Sequence, residues 1–180
     1  RTGNDRPTKM SRTGIWQFLS FFIYLLVQVV LMKNLVLFNT AFCFIYIAFI
    51  LFLPIETNIL LLMALGFVMG FLVDVFYDSL GMHASALVLV AFVRNFWLSR
   101  ITPQGGYDAG EGPTLAANGL QWFFIYAFPL VFIHHFALFF IEAGGFGLLW
   151  YTFSKVFFST IFTFLTVLLL QYMLPGQRRP

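Results

Sequence analysis

Six apolar runs, at 15–32, 37–53, 59–77, 83–98, 120–141 and 148–174, fill most of this chain and are parted only by brief polar breaks. Each is close to the roughly 20 apolar residues that a helix needs to cross about 30 Å of hydrocarbon. The pattern therefore predicts an all-α integral membrane protein with six transmembrane helices. Composition agrees: 61% of residues are hydrophobic and 9% charged, against roughly 45–50% and 25% in ordinary soluble domains. The 26 Phe residues spread over every run, as lipid-facing and packing surface would. The chain divides into a basic segment at 1–14, the helical domain at 15–174 with a polar loop at 99–118, and a short tail at 175–180. None of the polar stretches is long enough to bury a core of its own. The break between the first two runs is the least marked, resting on Lys33-Asn34 and Asn39-Thr40; Pro54, Glu56, residues 78–81 and Gly144-Gly145-Phe146-Gly147 punctuate the others.

Charge sets the expected orientation. With six spans, the N-terminus, the loop at Glu56, the loop at 99–118 and the C-terminus share one side. That side carries or borders Arg1, Arg6, Lys9, Arg12, Arg94, Arg100, Arg178 and Arg179, and the other has Lys33 and Lys155. The positive-inside rule then puts both termini in the cytoplasm, with a basic edge suited to anionic lipid head groups. The basic start resembles that of a signal peptide, but no small-residue cleavage site follows, so 15–32 is expected to stay as the first helix. The chain begins at Arg1 and not at Met, as a processed or trimmed form would. Cys43 is the single cysteine, which excludes an intrachain disulfide and Cys-based zinc or iron–sulfur sites.

Within the apolar runs a few polar residues stand out. Asp74 lies about one turn before the end of the third run, and a carboxylate in hydrocarbon costs roughly 3 kcal/mol on insertion scales. In a six-span arrangement Asp74, Lys155, His134 and His135 lie at comparable depths near the outer face. A buried Asp74–Lys155 pair with a histidine bonded to it is one reading; Lys155 snorkelling to the outer head groups is the other. His134 and His135 point about 100° apart on a helix, and together with Asp74, Asp78 and His83 they match no metal signature, so no metal or other cofactor is expected. Gly66 and Gly70 form a small-xxx-small face, for a contact within the bundle or with a partner protein. Arg94 either snorkels to lipid phosphates or meets a carboxylate such as Glu56. The Gly-rich stretch at 102–114 lacks the Lys-Ser/Thr pair of a phosphate-binding loop and reads as a flexible connector or a docking loop for a cytoplasmic protein.

These residues also carry a resemblance. Leu26-Val27-Gln28-Val29-Val30-Leu31, Asn34-Leu35, Leu51-Phe52-Leu53-Pro54-Ile55-Glu56-Thr57, the Gly66 and Gly70 pair, Val73-Asp74-Val75-Phe76 and Leu80-Gly81-Met82-His83-Ala84 resemble the bacterial rod shape-determining MreD family. The aspartate-bearing helix end followed by Leu-Gly-x-His-Ala, with Gly81 in the turn, is the most specific part. The resemblance is closest over 25–100 and extends by span pattern to the C-terminus. It implies a small inner-membrane protein of the cell-elongation complex, with a fold similar to the S component of energy-coupling-factor transporters. Implied partners are a bitopic MreC-like protein and, through it, MreB filaments, the RodA glycosyltransferase and a penicillin-binding transpeptidase. The Gly-rich loop at 105–112 and the basic N-terminal extension depart from the family pattern.

Three functions compete. The first is a non-catalytic membrane scaffold that positions peptidoglycan synthesis, with membrane lipid but no nucleic acid as a further partner. The second is a small-solute-binding subunit of a vitamin-type transporter, with Asp74, His83, Trp150 and Tyr151 lining a pocket. The third is an intramembrane enzyme, disfavoured because Ser85 and His83 are too close on one helix to act as a nucleophile and base.

Overall fold

The computed structural model describes residues 12–107, 112–145 and 147–173. Most of the basic segment, Asp108 to Glu111 within the Gly-rich loop, and the tail at 175–180 therefore lie outside the described residues. Among the described residues five helices are long and apolar enough to cross a membrane. The first, α1 (Arg12–Leu26), continues as a π-helical turn over Val27–Met32; the others are α3 (Ile59–Tyr77), α4 (Met82–Arg100), α5 (Leu115–Ala143) and α6 (Leu149–Met173).

Their ends follow local chemistry. Asn58 starts α3 by accepting the Leu60 N–H at 2.8 Å, and Thr114 starts α5 by accepting the Ala117 N–H at 3.3 Å. Asp78 ends α3 in the left-handed region, its N–H returning to the Asp74 carbonyl. Gly81, at φ 86°, then turns the chain into α4, in a conformation that side chains with a Cβ rarely adopt.

The expected second helix at 37–53 is not there. A two-stranded hairpin, β1 (Val36–Leu37) paired with β2 (Ala41–Phe42), turns through Phe38 and Asn39 at positive φ. A six-residue helix, α2 (Ile47–Phe52), follows it. Residues 43–51 are all buried, enclosed by the long helices. An apolar run buried on every side has no periodicity to separate an extended chain from a helix, so hydropathy misassigned it.

Such a chain needs other partners for its backbone, because no water reaches it. Polar side chains supply them. Ser159 accepts the Phe42 N–H at 2.9 Å and Thr163 the Phe44 N–H at 3.1 Å. Gln28, in the π-helical turn, donates to the Cys43 carbonyl at 3.2 Å and accepts the Tyr46 N–H at 3.4 Å. At the other end of the segment Tyr126 donates to the Leu51 carbonyl at 2.7 Å, and the Arg94 guanidinium donates to the Leu53 carbonyl. The segment thus follows α4 from the level of His83 to that of Arg94, about 16 Å of helix.

α3 and α4 pack most closely, at the two glycines. A Cβ on Gly70 would lie 2.6 Å from the Ala84 nitrogen and 2.7 Å from the His83 carbonyl oxygen, and one on Gly66 would lie 3.3 Å from the Leu87 carbonyl oxygen. The small-xxx-small face is therefore occupied by α4 inside the bundle.

Candidate functional site

The polar residues gather where α3 turns into α4. Asp74 accepts three hydrogen bonds: from the Ser79 hydroxyl at 2.6 Å, the His83 N–H at 3.0 Å and the Ala84 N–H at 2.9 Å. The last two are unpaired donors at the start of α4, so Asp74 caps one helix from within another, where a carboxylate also meets the positive end of the α4 dipole.

Asp74 and Lys155 are consequently not partners, contrary to the expected pair. Lys155 donates to Glu142 at 2.7 Å, and its ammonium lies 4.5 Å and 5.0 Å from the ring centres of Phe139 and Phe42. The sequence reading ended the fifth run at Ile141, which put Glu142 in a loop. The helix runs on to Ala143 and brings that carboxylate over α6.

His83 is buried behind Asp74. Its Nδ1 lies 2.8 Å from the Tyr46 hydroxyl, which is also 2.6 Å from His134 Nε2. His135 turns the other way, to Thr163 at 3.1 Å and to the Val131 carbonyl at 2.7 Å. The adjacent histidines thus bond in different directions from α5, about 100° apart, while both rings pack on Phe44. Among the described residues no three His, Cys, Asp or Glu side chains converge as ligands for a metal ion.

A cleft of about 300 Å³ opens beside this cluster, lined by Lys33, Tyr77, Asp78, Ser79, His83 and Glu142 over a wall that includes Phe42, Phe44 and Phe139. Asp78 is exposed at its edge. Trp150 and Tyr151 do not line it; Trp150 is 88% exposed. Gly66 and Arg94 belong to other parts of the bundle.

Arg94 is fully buried, without snorkelling or a Glu56 contact. Besides the Leu53 carbonyl it donates to the Tyr126 hydroxyl at 2.8 Å, while its Nη1 has no partner among the described residues. It places a cation at the C-terminal end of α2, where the helix dipole is negative. In the connection after α4, Tyr107 donates to the Leu98 carbonyl at 2.9 Å and packs edge-on against Trp122; burial pushes its hydroxyl pKa up.

Sequence reasoning singled out Asp74, Asp78, Gly81, His83 and His134, which the fold brings to one end of the bundle. It missed Gln28, Tyr46, Tyr77 and Glu142, and the α6 hydroxyls Ser159 and Thr163. The hydroxyls carried a signal: Ser159, Thr163 and Thr166 recur at spacings of four and three along one helix face. Comparison with protein-family models, with curated proteins and with solved structures found no match.

Proposed function

We propose that this multi-pass membrane protein is a non-catalytic scaffold of the bacterial cell-elongation complex, binding a bitopic MreC-like partner and helping to position peptidoglycan synthesis. The observation that carries this reading is how the intramembrane polar residues are used. Asp74 caps α4, Gln28, Ser159 and Thr163 hold the backbone of 42–46, and Arg94 and Tyr126 hold the end of α2. These groups stabilise one backbone arrangement and are not arrayed around a reacting centre. Residue similarity to the MreD family at Asp74 and at 80–84 supplies the particular assignment.

In this reading the buried segment at 41–53 is a sixth crossing, half extended and half helical, tolerated because protein and not lipid surrounds it. Six crossings put both termini on one face, and the positive charge near them makes that face cytoplasmic, in the bacterial inner membrane. The cleft at Asp78 and His83 then opens outward.

The test is a mild-detergent pull-down of the tagged protein from its native membrane, with mass spectrometry of what is retained. Recovery of an MreC-like protein with wall synthases is the expected result. A second reading, a small-solute-binding subunit of a transporter, is favoured by the cleft. Recovery of an ATPase pair without wall synthases would replace the first reading with it.

A further inference from the structure

Two hydrogen-bond donors at the cleft have no acceptor among the described residues. Gln28 fixes the first. Its Oε1 takes the Tyr46 N–H and its Nε2 the Cys43 carbonyl, so Nε2 is also what meets the Tyr77 hydroxyl, at 2.7 Å. The phenol oxygen therefore accepts there, and its own proton has no acceptor among the described residues.

The second follows from the chain of rings behind it. The Tyr46 hydroxyl has one proton and touches two neutral imidazoles, so it donates to one and accepts from the other. His134 Nδ1 is buried and has no partner among the described residues, and an orphaned buried N–H is rarer than an orphaned lone pair. Hydrogen-bond counting thus assigns the His134 proton to Nε2, which donates to Tyr46. Tyr46 donates to His83 Nδ1, and the His83 proton moves to Nε2, which has no partner among the described residues.

We propose that this cleft binds a small aromatic carbonyl compound, a single ring carrying a carboxamide or carboxylate oxygen. Tyr77 and His83 line the cleft together, their ring centres 5.1 Å apart, and each carries a proton that no described residue accepts. Phe44 packs against His83 and Tyr77 with ring centres at 5.1 Å and 6.4 Å, a nest to which a flat ring adds one more face. Of the charges at the mouth, Lys33 has no carboxylate partner among the described residues and offers an acceptor a cation, Glu142 is held by Lys155, and Asp78 lies exposed at the edge. The volume, about 300 Å³, is at the small end of ligand sites. This inference rests on the cleft alone and is independent of the scaffold reading, so the pull-down does not decide it.

The full-length protein in phosphatidylethanolamine–phosphatidylglycerol nanodiscs would be examined by saturation-transfer NMR with benzamide, benzoate and benzylamine as probes. Transfer to benzamide or benzoate, with none to benzylamine, is expected. Benzoate ahead of benzamide, with the advantage lost in Lys33→Met, identifies a carboxylate; equal transfer identifies a carbonyl. Tyr77→Phe, which keeps the ring, and Met82→Trp, which fills the mouth without touching the hydrogen-bond chain, should each weaken binding about tenfold or more in the folded protein, Tyr77→Phe with a lowered melting temperature because it strands a Gln28 Nε2 proton. If Tyr77→Phe does not fold, Met82→Trp decides. The proposal is overturned by benzylamine binding as well as benzamide, by no transfer from either carbonyl probe at about 10 mM, or by unchanged binding in a folded variant.

Discussion

Asp74 shows how one carboxylate can fix a helix junction in an apolar setting. Asn in its place keeps one acceptor oxygen where the aspartate offers two to three donors. Asp74→Asn should therefore cost about 1–3 kcal/mol in detergent unfolding experiments. Because Lys155 pairs with Glu142, the losses from Asp74→Asn and Lys155→Met should add. Those from Glu142→Gln and Lys155→Met should couple instead, and non-additivity in the first cycle would refute the separation. The hydrogen-bond chain through Tyr46 makes a second prediction: nitrogen-15 NMR of histidine-labelled protein should show His83 and His134 both as the Nε2–H tautomer. Asp74, His83 and His134 stood out in the sequence as polar letters in apolar runs. Their partners did not, since Tyr46, Tyr77 and Phe44 look like any other aromatic residue in a chain so rich in them.

Among the elements, the contact of α3 with α4 and the buried segment at 41–53 are the informative cases. Gly70→Ala forces backbone against backbone, whereas Gly66→Ala meets the Leu87 carbonyl only at the edge of contact. The first should destabilise by about 1–3 kcal/mol and loosen the Asp74 cap, and the second by clearly less, as read from detergent melting curves. Thr163→Val removes the acceptor of the Phe44 N–H while keeping volume. Amide exchange at Phe44 should then accelerate while exchange in α3 stays at its original rate. The long helices could be read from hydropathy alone because lipid-facing helices are long, apolar and capped by polar residues. The buried segment could not, because its conformation is dictated by side chains that lie far away in sequence, in the π-helical turn and in α4, α5 and α6.

For the whole molecule, the arrangement predicts a testable topology. Single cysteines introduced at Lys33 and at Arg100, in a chain whose own Cys43 is buried, should react with an impermeant thiol reagent from opposite sides of the membrane. Lys33 is expected to face outward. Reaction from the same side would remove the six-crossing arrangement and the orientation drawn from charge. The buried segment also bears on how such a protein is made. Ser159 and Thr163, which hold the amides of Phe42 and Phe44, arrive more than a hundred residues later, on α6. Until then each bare amide in hydrocarbon costs several kcal/mol, so the nascent segment cannot rest across the lipid in its final form. Its final conformation is therefore expected to form only when α6 docks, and a chain truncated before α6 is expected to leave the segment without those partners.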